Sequence, residues 1–320
     1  MRGLRIWIGI GVLALATAPL AATLKELSIT TADGARSAIL AVPDGLPPGP
    51  RPLVLLLHGH GGTAKNALGE GWLPASPLSA WLAVADREKV LVAALQGSDK
   101  GDGHPGWNDC RKDAPGNPPV DDVAFADALV RQQVQAGRAD PRRVYVMGMS
   151  NGGVMSFRLG LQMQPRPAAI AAAAASMPAA SLCQSPAVKL SVLLIEGSAD
   201  PIMPYAGGAI HLLGKFRGTV LGAAATRDFW LRANGLDPTT GVASTFPHLN
   251  ADDPTRVEKT VYGQSGGVQV ELLTVQGGGH AEPSVAHSYG WVYHKFAGEQ
   301  NRDLESAEEA WRFFKDKVSE

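Results

Sequence analysis

Val144-Tyr145-Val146-Met147-Gly148-Met149-Ser150-Asn151-Gly152-Gly153 is the stretch whose reading decides the fold. Its first four residues form a continuous apolar run, as a buried parallel strand requires. After Gly153 a helical pattern takes over and continues to about residue 164. Between strand and helix, Gly148-x-Ser150-x-Gly152 marks a sharp turn that holds its serine in a strained conformation. Side chains beside that serine would meet the adjoining strand and helix, and glycine removes the clash. The helix N-terminus behind the turn supplies free amides that favour negative charge. Strand, turn and helix together read as a nucleophile elbow, with Ser150 as candidate nucleophile.

The alternation repeats along the chain. Residues 24–30 and 36–42 pattern as an antiparallel hairpin, and 52–57 as a buried strand ending in glycines. A helix near 78–88 leads into a strand at 90–95. Residues 121–136 space their apolar positions as an amphipathic helix, with acids at its positive end. Strands follow at 168–175, 190–195 and 268–275, and a last helix spans about 306–317. Such alternation implies a mostly parallel sheet covered on both faces. The expectation is therefore an α/β chain of the α/β-hydrolase fold with an antiparallel N-terminal hairpin. Its sites should form where loops leave the carboxyl ends of the strands.

A serine nucleophile in this fold needs an acid and then a histidine later in the chain. Of the histidines after Ser150, His280 alone follows a strand through Gly277-Gly278-Gly279, a mobile approach that brings an imidazole over the serine. His211, His248, His287 and His294 lack such a setting. The strand at 190–195 runs into Glu196-Gly197-Ser198-Ala199-Asp200-Pro201, so Asp200 is the candidate acid, with Glu196 as its rival. Two donors must already face a developing oxyanion. The amide of Asn151 is one candidate, and the amide of His60 in Leu57-His58-Gly59-His60-Gly61-Gly62 is the other. The triad needs no metal and no organic cofactor.

The N-terminus speaks to location. Arg2 and Arg5 precede an apolar run from Ile6 to about Leu15, and small residues follow to Ala22. This is the layout of a secretory signal peptide over 1–22, ahead of a single catalytic domain over 23–320. The run is shorter than the ~20 residues a membrane span needs, so no stable anchor is expected. The product would be secreted or periplasmic. With a formal net charge of −1 and no long run of one sign, nucleic acid is not an expected partner. Two cysteines, Cys110 and Cys183, suggest one disulfide in an exported chain, with two buried thiols as the alternative.

Several of these segments resemble one known group. Leu57-His58-Gly59, Trp107-Asn108, Val120-Asp121-Asp122-Val123-Ala124-Phe125, Asp140-Pro141-Arg142-Arg143 and Gly148-Met149-Ser150-Asn151-Gly152-Gly153 are similar to the secreted polyhydroxybutyrate depolymerases and feruloyl esterases. Asp200-Pro201, Pro204-Tyr205, Trp230 with Asn234-Gly235, and Gly278-Gly279-His280 continue the match in family order. The resemblance implies a Ser150, Asp200, His280 triad, oxyanion amides from His60 and Asn151, and a Cys110–Cys183 bridge. It implies structural roles for Asp121 and Asp122. The substrate it implies is a polymeric or oligomeric ester, first a hydroxyalkanoate polyester. Feruloyl or acetyl xylan-type esters, poly(aspartic acid) amides and an acyltransferase reaction are the alternatives.

This chain departs from the pattern in two places. Leu236 stands where relatives often carry another cysteine, and Ala281-Glu282-Pro283-Ser284 follows His280 where an aromatic is common. Glu282 is thereby a candidate cleft residue, and Trp107, Trp291 or Tyr293 are candidates for a replacement aromatic wall.

Overall fold

The computed structural model describes residues 22–71, 75–101, 103–184, 186 and 188–319. The expected signal peptide, apart from Ala22, lies outside them. Ten strands form one sheet. The N-terminal hairpin is β1 (Ala22–Thr31) and β2 (Gly34–Pro43), paired antiparallel through ten positions. Next to β2 come β4 (Leu91–Leu95), β3 (Arg51–Leu57), β5 (Ala139–Met149), β6 (Ala169–Ala173), β7 (Ser191–Gly197) and β12 (Val270–Gln276). These six run parallel. The far edge is antiparallel again, through β11 (Arg256–Tyr262) and β10 (Val242–Thr245). A separate two-stranded hairpin, β8 (Gly207–Leu212) and β9 (Lys215–Leu221), is inserted after β7.

The continuous apolar runs are explained by burial on both faces. Along β3, Leu53, Leu55 and Leu57 enter one core, while Val54 and Leu56 enter the other. The first core is closed by α3 (Asp122–Gln135), α4 (Asn151–Gln162) and α5 (Ala223–Asn234). The second is closed by α1 (Ala64–Ala67), α2 (Trp81–Glu88) and α7 (Ser306–Phe314). Each fully buried leucine contributes about 2 kcal/mol by leaving water. The remaining helix, α6 (Gly290–Ala297), has only Ala297 buried and stands at the rim.

The two acids at the start of α3 take structural positions. Asp121 caps the helix, accepting from the amides of Val123 and Ala124 at 3.1 Å. Asp122 is buried and accepts from Arg36 Nη2 at 2.7 Å and the Asn108 amide at 2.8 Å, tying β2 to the loop before α3. Cys110 and Cys183 are bonded, with Cα atoms 5.6 Å apart across a separation of 73 residues. A bridge of that span removes about 4 kcal/mol of loop entropy from the unfolded chain in the chain-entropy model. A disulfide is compatible with an extracellular location. Among the described residues no helix is long and apolar enough to cross a membrane.

The antiparallel far edge and the β8–β9 hairpin are additions to the expected fold. The hairpin turns at Leu213 (φ 50°) and Gly214 (φ 75°), and a two-residue turn with both φ positive matches the twist of its strands. Its base is held by Asp113, which accepts from the Thr219 amide at 3.0 Å and the Thr219 hydroxyl at 2.6 Å.

Candidate active site

Strand β5 ends at Met149 and α4 starts at Asn151, leaving Ser150 alone in the turn at φ 55°, ψ −123°. A non-glycine residue at such φ costs about 1–3 kcal/mol, which the surroundings must over-determine. They do so from both sides. The Ser150 amide donates to Ala173 O at 2.9 Å, and its carbonyl accepts from Val154 N at 2.9 Å. A Cβ on Gly152 would run into the carbonyls of Leu57 and His58, so glycine there is what lets α4 sit against β3.

His280 reaches the serine from the loop after β12. Its Nε2 lies 2.8 Å from Ser150 Oγ, and its Nδ1 lies 2.7 Å from Asp200 Oδ2. The other carboxylate oxygen, Asp200 Oδ1, accepts from the amides of Ile202 at 2.7 Å and Met203 at 2.8 Å. All hydrogen-bonding positions around the imidazole are thus assigned to one geometry. The glycines before His280 do not form a mobile approach. Gly279 N donates to Glu299 O at 2.7 Å, His280 N to Ala297 O at 2.6 Å, and Tyr293 Oη to His280 O at 2.6 Å. The loop is packed against the end of α6, and the imidazole is held rather than delivered.

Glu196 does not compete for His280. It is a buried residue of β7, bonded toward Ala175 and Ser176, and burial together with the neighbouring Asp200 pushes its carboxyl well above the ordinary range. The imidazole Nδ1 is already paired with Asp200 Oδ2, which leaves no position for Glu196.

The loop bearing His60 passes directly beside Ser150, since a Cβ on Gly59 would lie 3.5 Å from Ser150 Cβ. His58, a residue without an assigned role in the sequence reading, fixes this loop. Its Nε2 accepts from Gly97 N at 3.0 Å, so Nδ1 carries the proton and donates to Gly59 O at 2.8 Å. Burial lowers its pKa to about 4, keeping it neutral in that tautomer. The Asn151 amide is the first of α4, where helix amides have no partner within the helix. The Asn151 side chain is locked separately, accepting from Trp107 N at 2.8 Å and donating to Asp109 Oδ2 at 2.7 Å.

Three cavities lie at or beside Ser150, each sharing lining residues with the next. The largest, about 620 Å³, runs from Gly59 past Met149 to the aromatic face of α6. A second of about 270 Å³ holds Ser150 and His280 and is walled by the β8–β9 hairpin. A third, about 30 Å³, reaches inward from Ser150 to Arg111 and Arg217. Along the largest cavity Tyr289 stacks on Tyr293 at 4.3 Å between centroids and Phe296 meets Tyr293 edge-on at 5.0 Å, while Trp291, 74% exposed, stands at its mouth.

Two of the expected cleft residues are elsewhere. Trp107 is 1% exposed and lines none of the three, because its indole Nε1 donates to His58 O at 2.8 Å beneath the loop bearing His60. Glu282 is 0% exposed and sits behind the aromatic wall, where its Oε2 accepts from Tyr289 Oη at 2.6 Å. A carboxylate in place of an aromatic therefore supports the cleft wall from behind instead of lining it. Among the described residues, no group of three His, Cys, Asp or Glu is placed to hold a metal ion.

Burial, opposed by the Tyr289 hydrogen bond, raises Glu282 from 4.5 to about 7. Between those values the folded protein keeps a proton that the unfolded chain has lost, and this stability disappears as pH rises through 7. Glu282→Gln removes the titration. Its stability relative to the parent should therefore rise by about 3 kcal/mol between pH 4.5 and pH 8. Urea unfolding midpoints across that range check it, and a pH-independent difference contradicts it.

The model of the phospholipase/carboxylesterase family matches residues 48–212, which include Ser150 and Asp200. "Putative esterase NocK" of Nocardia uniformis subsp. tsuyamanensis is 30% identical over 301 residues, 91% of this chain and 83% of that protein. The chain belongs to the phospholipase/carboxylesterase family. Members of the carboxylesterase family are hydrolases acting on ester bonds, and this chain is an esterase of the α/β-hydrolase type. Feruloyl esterase B of Piromyces equi is 29% identical over 212 residues, 64% of this carboxylesterase-family chain but 36% of that enzyme. Acetyl xylan esterase from Aspergillus awamori shares the fold, with a TM-score of 0.59 at 14% identity over 92% of this chain and 99% of that one.

Proposed function

We propose that this esterase is an exported enzyme that cleaves hydroxyalkanoate polyesters or their oligomers through a Ser150 acyl-enzyme. The observation that carries the substrate reading is the apolar cleft of about 620 Å³ opening beside the nucleophile. Trp291, Val292 and Phe296 line it from α6, all exposed, and Leu213 at the hairpin tip, also exposed, lines the neighbouring cavity that holds Ser150. Exposed apolar surface on this scale suits docking onto an aliphatic chain or polymer face. Residues 1–22 act as the signal peptide and 23–320 as one catalytic domain, delivering the enzyme to the periplasm or medium.

In the mechanism, His280 Nε2 takes the proton of Ser150 Oγ as the oxygen attacks the ester carbonyl. Asp200 holds the imidazole by Nδ1 and stabilises the imidazolium. The amides of His60 and Asn151 receive the oxyanion, each such donor contributing on the order of 10²–10³ in rate. His280 then gives its proton to the leaving alcohol and later takes one from the water that releases the acid. No step calls on a metal or organic cofactor.

Feruloyl ester hydrolysis is the second reading, favoured by the similarity to feruloyl esterase B and by the stacked Tyr289 and Tyr293 at the start of α6, which fit a phenolic ring. One panel separates the readings: hydroxybutyrate trimer, amorphous polyhydroxybutyrate, methyl ferulate, acetylated xylan and poly(aspartate). The proposal expects kcat/KM on the hydroxybutyrate trimer to exceed that on methyl ferulate by at least about tenfold, roughly 1.4 kcal/mol of transition-state preference. Turnover of methyl ferulate alone overturns it.

A further inference from the structure

The cleft has a cationic end that the acyl-transfer chemistry leaves unused. Arg217 projects from β9 and lines both smaller cavities, together with Ser150. Among the described residues it makes no ion pair or side-chain hydrogen bond, and its Nε is buried without a partner. Of the other Lys and Arg residues lining these two cavities, Lys215 is exposed on the hairpin and Arg111 is already neutralised. Arg111 binds Asp109 at 2.7 Å with both side chains buried, and Asp109 also accepts from Asn117 Nδ2 at 2.6 Å and Asn151 Nδ2 at 2.7 Å. Asp113, the acid beside the hairpin, is committed to Thr219. Among the described residues no Asp or Glu lines any of the three cavities.

An uncompensated guanidinium in a partly closed cavity presents a planar fork that matches a carboxylate bidentately. The backbone makes room for that fork. Gly116 faces it, and a Cβ there would meet Arg217 Nη1 at 2.5 Å.

We propose that Arg217 forms a carboxylate subsite beside Ser150, so that the preferred substrate carries a free carboxylate next to the scissile ester. This rests on the hydroxyalkanoate reading and narrows it to short oligomers ending in a free acid. The apolar arm of the cleft takes the aliphatic chain, and Arg217 takes the charged end. Feruloyl and acetyl esters have no such group at that place.

The test compares kcat/KM for 3-hydroxybutyrate trimer as the free acid and as its methyl ester, at fixed ionic strength. The parent should favour the acid by about tenfold or more, as a desolvated charge-assisted pair implies. In Arg217→Gln the acid-to-ester ratio should fall to near one, with Arg217→Lys between. Gly116→Ala, which displaces the fork without changing charge, should also lower the ratio. A parent ratio near one, or a ratio unchanged in Arg217→Gln, overturns the subsite. If neither trimer is cut, the hydroxyalkanoate reading fails and the subsite is read separately. Inhibition of nitrophenyl butyrate turnover by 3-hydroxybutyrate dimer acid should then exceed that by its methyl ester in the parent and not in Arg217→Gln. Equal inhibition by acid and ester in the parent overturns it.

Discussion

Ser150→Ala is expected to lower kcat/KM for nitrophenyl butyrate by about 10⁴–10⁶, leaving only what the oxyanion amides and substrate binding supply. The turn that holds Ser150 at φ 55° places Oγ 2.8 Å from His280 Nε2, so the hydroxyl has a base in hydrogen-bond reach. Alanine keeps the Cβ and the backbone strain, and the fold should be unaffected. Thermal unfolding of the variant checks that the loss is chemical. A folded Ser150→Ala protein retaining more than about one-tenth of the parent rate contradicts the assignment.

Asp200→Asn should cost nearly as much, about 10⁴ in kcat. The reason lies in the two amides that Asp200 Oδ1 accepts from, Ile202 and Met203. Those donors will hold the asparagine carbonyl, turning its NH₂ toward His280 Nδ1. The imidazole must then accept at Nδ1 and carry its proton on Nε2, where it cannot take one from Ser150. Glu196 cannot rescue the variant, because it is buried in β7 and bonded toward Ala175 and Ser176. Accordingly Glu196→Gln should change kcat by less than about tenfold, in contrast to Asp200→Asn. Steady-state kinetics on the two variants settle which acid serves the imidazole, and a reversed order of effects contradicts this account.

The residues that could be read from the chain are those whose backbone demands are local. Gly148-x-Ser150-x-Gly152 is legible because a strained turn between a strand and a helix leaves few residue choices. The strands of the sheet are legible because burial on both faces makes them continuously apolar, as at β3. Asp200 and Glu196 are harder to separate, because one follows β7 and the other lies at its end, and only the tertiary partner of each carboxylate distinguishes them. Trp107 and Glu282 lie outside the cleft for a related reason. Whether a polar or aromatic side chain faces a cleft depends on distant partners, here His58 O and Tyr289 Oη, that spacing does not reveal. The β8–β9 hairpin carried a readable signal, an alternating run interrupted by Leu213-Gly214, but Arg217 gains its meaning only where the hairpin folds over the nucleophile.

The claim on which everything else depends is that Ser150 forms the covalent intermediate. Its most direct test is peptide mapping by mass spectrometry after reaction with a fluorophosphonate, in the parent and in Ser150→Ala. The geometry predicts one adduct, on the peptide containing Ser150, and none in the variant. An adduct on another residue, or labelling that persists in Ser150→Ala, would contradict it.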